Sequence, residues 1–274
     1  MNYKKNVTKI ISEIIQDQAK PTMKYYAFDW DDNLMYMPTK IYLKDENGKS
    51  VGMSTEDFAE YRTEVGRDPF DYEGHTIVGF DDDAFRDFTV TGDKKFLRDS
   101  MNAPVGPAWP DFVEAVNNGS IFAIITARGH TPSVLKKAVY NLIKTNKDGL
   151  NSKQLVKSLK KYREITDDED MSDDELIMTY LEMCKYHPVS FGEGSAANPE
   201  ELKVRAMKEF VKYVQNLSQQ IQEKAYLKNR ISNYFLPYIG FSDDDLKNVE
   251  AMRKHFDDDE LDIYHTGGGK KTKM

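Results

Sequence analysis

The chain has 274 residues, 39% hydrophobic and 12% aromatic, enough for one large domain or a core domain carrying a smaller one. Its formal net charge of −8 argues against non-specific binding to a nucleic-acid backbone, which needs a basic face, and leaves open only a local basic pocket. A single cysteine, Cys184, excludes an intramolecular disulfide, and no stretch reaches the ~20 apolar residues of a membrane span, so a cytoplasmic setting without a membrane partner is expected.

Ile10, Ile11, Ile14 and Ile15, interrupted by Ser12, Glu13 and Gln16, predict an amphipathic helix docking on a core rather than a signal peptide. Pro21 resets the backbone, and residues 24–28 (KYYAF) predict a short strand ending at Asp29, Asp31 and Asp32. Residues 39–55 predict a β-hairpin turning at Asn47-Gly48, and 75–80 supply further strand material. Together these suggest a small cap-like insertion over 35–107.

Residues 109–118 predict a helix ending at Gly119, followed by the apolar run SIFAIIT at 120–126, which suits a parallel strand covered on both faces. A helix over 131–146 starts with Thr131 as cap and Pro132 at its first position. Residues 150–186 are charged and helical, with an acidic run at 167–175; the segment reads as a helical insertion with a solvated face, or as a surface for a protein partner. A strand at 188–192, a long helix over 199–228 capped by Asn198, and a strand at 235–242 follow. Then come Asp243, Asp244 and Asp245, a helix over 246–255, a strand at 261–265, and a tail at 266–274 expected to be flexible. The alternation predicts an α/β fold with a mostly parallel sheet flanked by helices, its core formed by 1–34 and 108–265.

In such sheets ligands bind beyond the carboxyl ends of strands, and three predicted strands end in functional residue types: Asp29 with Asp31, Thr126, and Asp243 to Asp245. Carboxylates at i and i+2 converge on one side of an extended chain. Packing Asp29, Asp31 and Asp32 into four residues calls for a compensating cation, and Mg²⁺ accepts carboxylate oxygens while keeping room for water and phosphate. Thr126 offers a hydroxyl and Lys203 a cation for a phosphoryl group, with Lys208 and Lys212 as nearby alternatives on the same helix.

FDWDDNL at 28–34, IITARG at 124–129, Lys203 in NPEELKVRAMKEF, and IGFSDDDLKNVEAM at 239–252 resemble, in order, the four motifs of the haloacid dehalogenase (HAD) superfamily. The resemblance implies a HAD-like Rossmannoid core in which Asp29 attacks phosphorus and Asp31 serves as general acid and base. It implies a Mg²⁺ held by the Asp29 carboxylate, the Asp31 backbone carbonyl, and Asp243 and Asp244, with Asp245 as the alternative ligand. Thr126 would then bond a phosphoryl oxygen and Lys203 balance charge. An acid at position 31 points to the phosphatase branch. The sequence departs from the family pattern twice: Asp32-Asn33 stands where Gly-Thr is usual, and Phe241 stands where an aspartate commonly follows glycine.

Arg128 is placed to reach a phosphate or a substrate carboxylate, or else to cap its loop. The five histidines show no metal-ligand spacing, and His130 and Trp30 read as structural. The leading expectation is a Mg²⁺-dependent phosphomonoester hydrolase whose small phosphorylated substrate is chosen by 35–107. A nucleotide or polynucleotide 3′-phosphatase is the alternative, with Tyr42, Phe58, Tyr61, Phe70 and Tyr72 as stacking residues. A third is a catalytically silent HAD-like binding or structural module with a partner at 150–186.

Overall fold

The computed structural model describes residues 23–166, 171–190, 198–228 and 237–274. The expected N-terminal helix lies outside the described residues, as do 167–170 of the acidic run, 191–192 and 235–236. The strands are β1 (Lys24–Phe28), β2 (Ile41–Asp45), β3 (Ser50–Met53), β4 (Phe70–Tyr72), β5 (His75–Phe80), β6 (Phe122–Thr126), β7 (Lys185–Pro188), β8 (Tyr238–Asp243), β9 (Asp262–His265) and β10 (Thr272–Lys273). The α-helices are α1 (Thr55–Tyr61), α2 (Asp93–Asn102), α3 (Trp109–Asn117), α4 (Pro132–Lys144), α5 (Ser152–Thr166), α6 (Asp173–Met183), α7 (Pro199–Leu227) and α8 (Leu246–Arg253).

The fold is α/β. Six strands form one sheet in the order β10-β9-β8-β1-β6-β7, parallel throughout except for β10. All five residues of β6 are buried, as a central strand with helices on both faces requires. Its pairing begins at Phe122, two residues later than the apolar run suggests. The next strand lies at 185–188 rather than 188–192. Its residues, KYHP, lack an apolar period, but Tyr186 packs edge-on against Phe122 at 6.1 Å and the Lys185 ammonium lies 3.9 Å from the Tyr213 ring centre. Long amphipathic side chains therefore do the burying that a hydropathy pattern does not register.

The described helices of 150–186, α5 and α6, contribute buried residues to the main core. Leu155, Val156 and Leu159 of α5 and Leu176, Ile177, Tyr180 and Leu181 of α6 are buried in the main cluster. Lys144–Asp174 and Lys160–Asp173 ion pairs lie on the outer face. The density of charge conceals an apolar stripe at helical spacing. The tail is ordered in part: Thr272 and Lys273 pair with β9, Met274 N–H donates to the Ile263 carbonyl at 2.9 Å, and Lys273 meets Asp262 at 2.5 Å.

A second sheet, β3-β2-β5-β4, is antiparallel and has its own core of Ile41, Leu43, Val51, Met53, Val65, Tyr72, Ile77 and Ala84. The hairpin turn holds because the Asp45 carboxylate accepts from the Asn47 and Lys49 N–H groups at 2.9 and 2.8 Å, with Gly48 at φ 77°. Phe96 of α2 belongs to the main core, so this second core draws on 41–88 rather than on all of 35–107.

Candidate active site

Strand register builds the site. Phe28 pairs with Ile124 on β6 and with Ser242 on β8, so Asp29 and Asp243 one position on and Thr126 two positions on come to one carboxyl edge. This is also where the sheet order reverses about β1, the crevice where open α/β sheets bind ligands. Asn33 fixes the turn after β1: its amide donates to the Asp29 carbonyl at 3.0 Å and to the Ser242 carbonyl and hydroxyl at 3.2 and 3.1 Å. Its own oxygen accepts from the Thr266 hydroxyl at 2.8 Å. The departure at position 33 thus puts a cross-link between two strand ends, and Phe241 is a core residue at 1% exposure.

Lys203 projects from α7 into this edge, 2% exposed, and donates to Asp29 Oδ1 at 2.9 Å and Asp243 Oδ2 at 2.7 Å. Burial alone would lower its pKa, but Asp243 and Asp29 outweigh burial and hold it well above the usual lysine range. Lys208 and Lys212 are exposed on the same helix. Asp243 also accepts from the Asp245 N–H and the Asn248 amide, both at 3.0 Å. Burial pushes the Asp29 carboxyl up to about 8; Lys203 opposes this, while Asp243 and Asp31 add to it. Asp244 is raised well above the carboxylate range by burial and then by Asp243 and Asp29.

One oxygen from each of Asp29, Asp243 and Asp244 lies within 4.8 Å of the others. The donor set is all oxygen, and six aspartates line the pocket against Arg62, Arg128 and Lys203. Excess buried negative charge and hard donors fit a small divalent cation. Asp245 falls outside this group. It caps α8 by accepting from the Lys247 N–H at 2.9 Å and faces Arg62 at 3.5 Å. The backbone carbonyl of Asp31 accepts from the Asn33 N–H at 2.6 Å and keeps a lone pair for a further partner.

Arg128, on the cavity lining, is fully buried and grips Asp31 with two bonds, Nε to Oδ2 at 2.7 Å and Nη2 to Oδ1 at 2.6 Å. Thr39 accepts a third bond at 2.9 Å, and the rings of Phe88 and Phe96 lie 4.8 Å from the guanidinium carbon. A planar fork matched to a carboxylate outcompetes exposure to solvent. Thr126 ends β6 in the pocket, 1% exposed, with its hydroxyl accepting from the Arg128 N–H at 3.4 Å. His130 is structural, its Nδ1 2.8 Å from Asp93, and Trp30 is buried against Phe96 with ring centres 5.3 Å apart.

The cavity above these groups is about 720 Å³ and is roofed by the small sheet and its connections. Of the expected stacking residues only Phe58 lines it. Tyr61 stacks on Phe70 at 5.2 Å and meets Tyr72 edge-on at 6.1 Å, while Tyr42 lies under Arg86 at 3.3 Å. The roof's pocket-facing rings are Phe58, Phe85 and Phe88. The sequence reading passed over Thr55, whose hydroxyl donates to Asp32, and Arg62, which joins α1 to Glu200 at 2.6 Å. Asp32 sits at φ 52°, and burial raises it to about 6 against the Thr55 bond. Only the flanking position of Thr39 and Thr55 around the hairpin hinted at such contacts.

The chain matches no protein-family model, no curated protein and no solved structure. Among the described residues, no helix is long and apolar enough to cross a membrane.

Proposed function

We propose that the chain is a cytoplasmic, Mg²⁺-dependent phosphomonoester hydrolase of the HAD type, acting on a small phosphorylated substrate through an aspartyl-phosphate on Asp29. The observation that carries this reading is Lys203 bridging Asp29 and Asp243 at adjacent strand ends, with Asp244 completing a three-carboxylate group below a cavity.

Lys203 engages Asp29 Oδ1 and leaves the other oxygen to attack phosphorus, breaking the bond to the leaving oxygen. Asp31 gives that oxygen a proton, then takes one from the water that attacks the aspartyl-phosphate, releasing phosphate and restoring Asp29. Arg128 orients Asp31, and protonated Asp31 retains one of the two bonds. Thr126 donates its hydroxyl to a phosphoryl oxygen. Asp29, Asp243, Asp244 and the Asp31 carbonyl would hold Mg²⁺, which would supply the positive charge that lets an anionic nucleophile and a phosphate approach each other. Without that charge, burial disfavours the ionised Asp29 that attack requires.

Phosphate release from a panel of monoesters tests the proposal, comparing wild type with Mg²⁺, wild type with EDTA, and Asp29→Asn. Release that EDTA abolishes and that Asp29→Asn lowers by ~10³-fold or more is the expected result. Folded protein that releases no phosphate from any ester would instead favour a silent binding module.

A further inference from the structure

The roof of the cavity carries apolar surface that folding does not use. Phe85 is 43% exposed and Val90 49% exposed, both on the cavity lining, with Phe80 beside them at 42%. Phe85 meets Phe58 at 5.8 Å, Phe80 at 5.7 Å and Phe88 at 6.4 Å between ring centres. Single exposed apolar residues are ordinary in soluble proteins, but Phe85 and Val90 line one cavity, and Phe85 is braced by Phe58, Phe80 and Phe88. Such a wall suits a flat apolar partner.

Charge narrows the partner further. Among the described lining residues the cations are Arg62, Arg128 and Lys203, and each already faces carboxylates. Arg62 holds Glu200 at 2.6 Å and Asp245 at 3.5 Å, Arg128 holds Asp31, and Lys203 holds Asp29 and Asp243. No described lining cation remains for a second phosphate or a carboxylate on the substrate, and the aspartates repel both.

Building on the phosphatase reading, we infer that the substrate is a phosphate monoester with one anionic group and a planar aromatic body, such as a nucleoside monophosphate or an aryl phosphate. The observations disfavour bisphosphates, phosphorylated acids, nucleoside diphosphates and polynucleotides. At about 720 Å³ the cavity has room for a nucleoside.

The test compares kcat/KM for adenosine 5′-monophosphate and 1-naphthyl phosphate with that for glycerol 1-phosphate, fructose 1,6-bisphosphate and 3-phosphoglycerate. The expected preference for the aromatic esters is about tenfold or more, and Phe85→Ala or Val90→Ala narrows that ratio. Higher kcat/KM for the nucleotide than for the naphthyl ester assigns a nucleoside; equal values assign the ring alone. A preference for the bisphosphate or the acid, or a ratio that Phe85→Ala leaves unchanged, overturns the inference and leaves the phosphatase reading standing. Calorimetric binding of benzylphosphonate and methylphosphonate, which cannot be hydrolysed, separates the two failures. If no ester is turned over yet benzylphosphonate binds about tenfold tighter, and Phe85→Ala removes the difference, the phosphatase reading falls and the aromatic site stands. Equal binding of the two phosphonates sinks the aromatic site.

Discussion

The floor and the roof of the cavity are built on opposite principles. On the floor each described cation meets carboxylates at fixed distances: Lys203 bridges two of them, and Arg128 holds Asp31 through two parallel bonds. The roof holds Phe85, exposed and in contact with Phe58, Phe80 and Phe88, on a sheet with a core of eight buried residues. Rigid, paired charge suits chemistry, where a group displaced by an ångström loses its effect. Apolar surface on a small separate core suits selection, because Phe85 and Val90 can be altered while Lys203 and Arg128 keep their carboxylate partners.

The largest test of that contrast is Lys203→Met. It removes the cation between Asp29 and Asp243, both buried, and the variant is expected to lose roughly 3–5 kcal/mol of stability along with phosphate release. Urea unfolding measures the loss. A cost under about 1 kcal/mol would mean that Lys203 does not balance the floor.

A smaller effect follows from Asp29. Its folded pKa, pushed up to about 8, lies above its unfolded value, so its contribution to stability is fully present below the unfolded pKa and lost as pH rises toward 8. Asp244 acts in the same direction. A cation held by these carboxylates must displace their protons, so Mg²⁺ is expected to raise the unfolding temperature more at pH 8 than at pH 6. Thermal scans with and without Mg²⁺ at the two pH values check this. An equal shift, or none, would break the link between the raised carboxyls and a metal.

The floor was legible in the sequence because strand ends there carry chemical residue types in chain order. KYYAF before Asp29, the buried run before Thr126 and the apolar strand before Asp243 are each short-range signals. Three features were less legible. Arg128 reads as available for substrate until Asp31 is seen to hold it, a pairing across 97 positions that local pattern cannot supply. The apolar faces of α5 and α6 are hidden by dense charge, and β7, largely half-buried, packs through lysine and tyrosine side chains rather than aliphatics. In the roof, Tyr61, Phe70 and Tyr72 look like stacking residues, but Tyr61 at the end of α1 stacks on Phe70 of β4 and all three pack on the small core, while Phe85 and Val90 line the cavity.

The smallest effect expected comes from His130, which packs against Arg128. Its Nδ1 lies 2.8 Å from Asp93 and its Nε2 3.2 Å from Arg128 Nη1, with the Phe96 ring stacked at 4.5 Å. Arginine only donates, so Nε2 accepts and the proton sits on Nδ1, facing Asp93. Burial and then Arg128 lower the pKa of His130; Asp93 and Asp31 oppose without prevailing. With the folded pKa below the unfolded value of ~6.5, its contribution to stability is present above that pH and is lost as pH falls through the folded value. Protonation also removes an acceptor from Arg128, the group that orients Asp31. Between pH 7 and pH 5 wild type is therefore expected to lose stability more steeply than His130→Gln, by at most one proton's worth. The acid limb of its phosphate release should lie at higher pH than the variant's. Parallel stability profiles for the two proteins would mean that His130 does not bind its proton differently in the folded and unfolded chains.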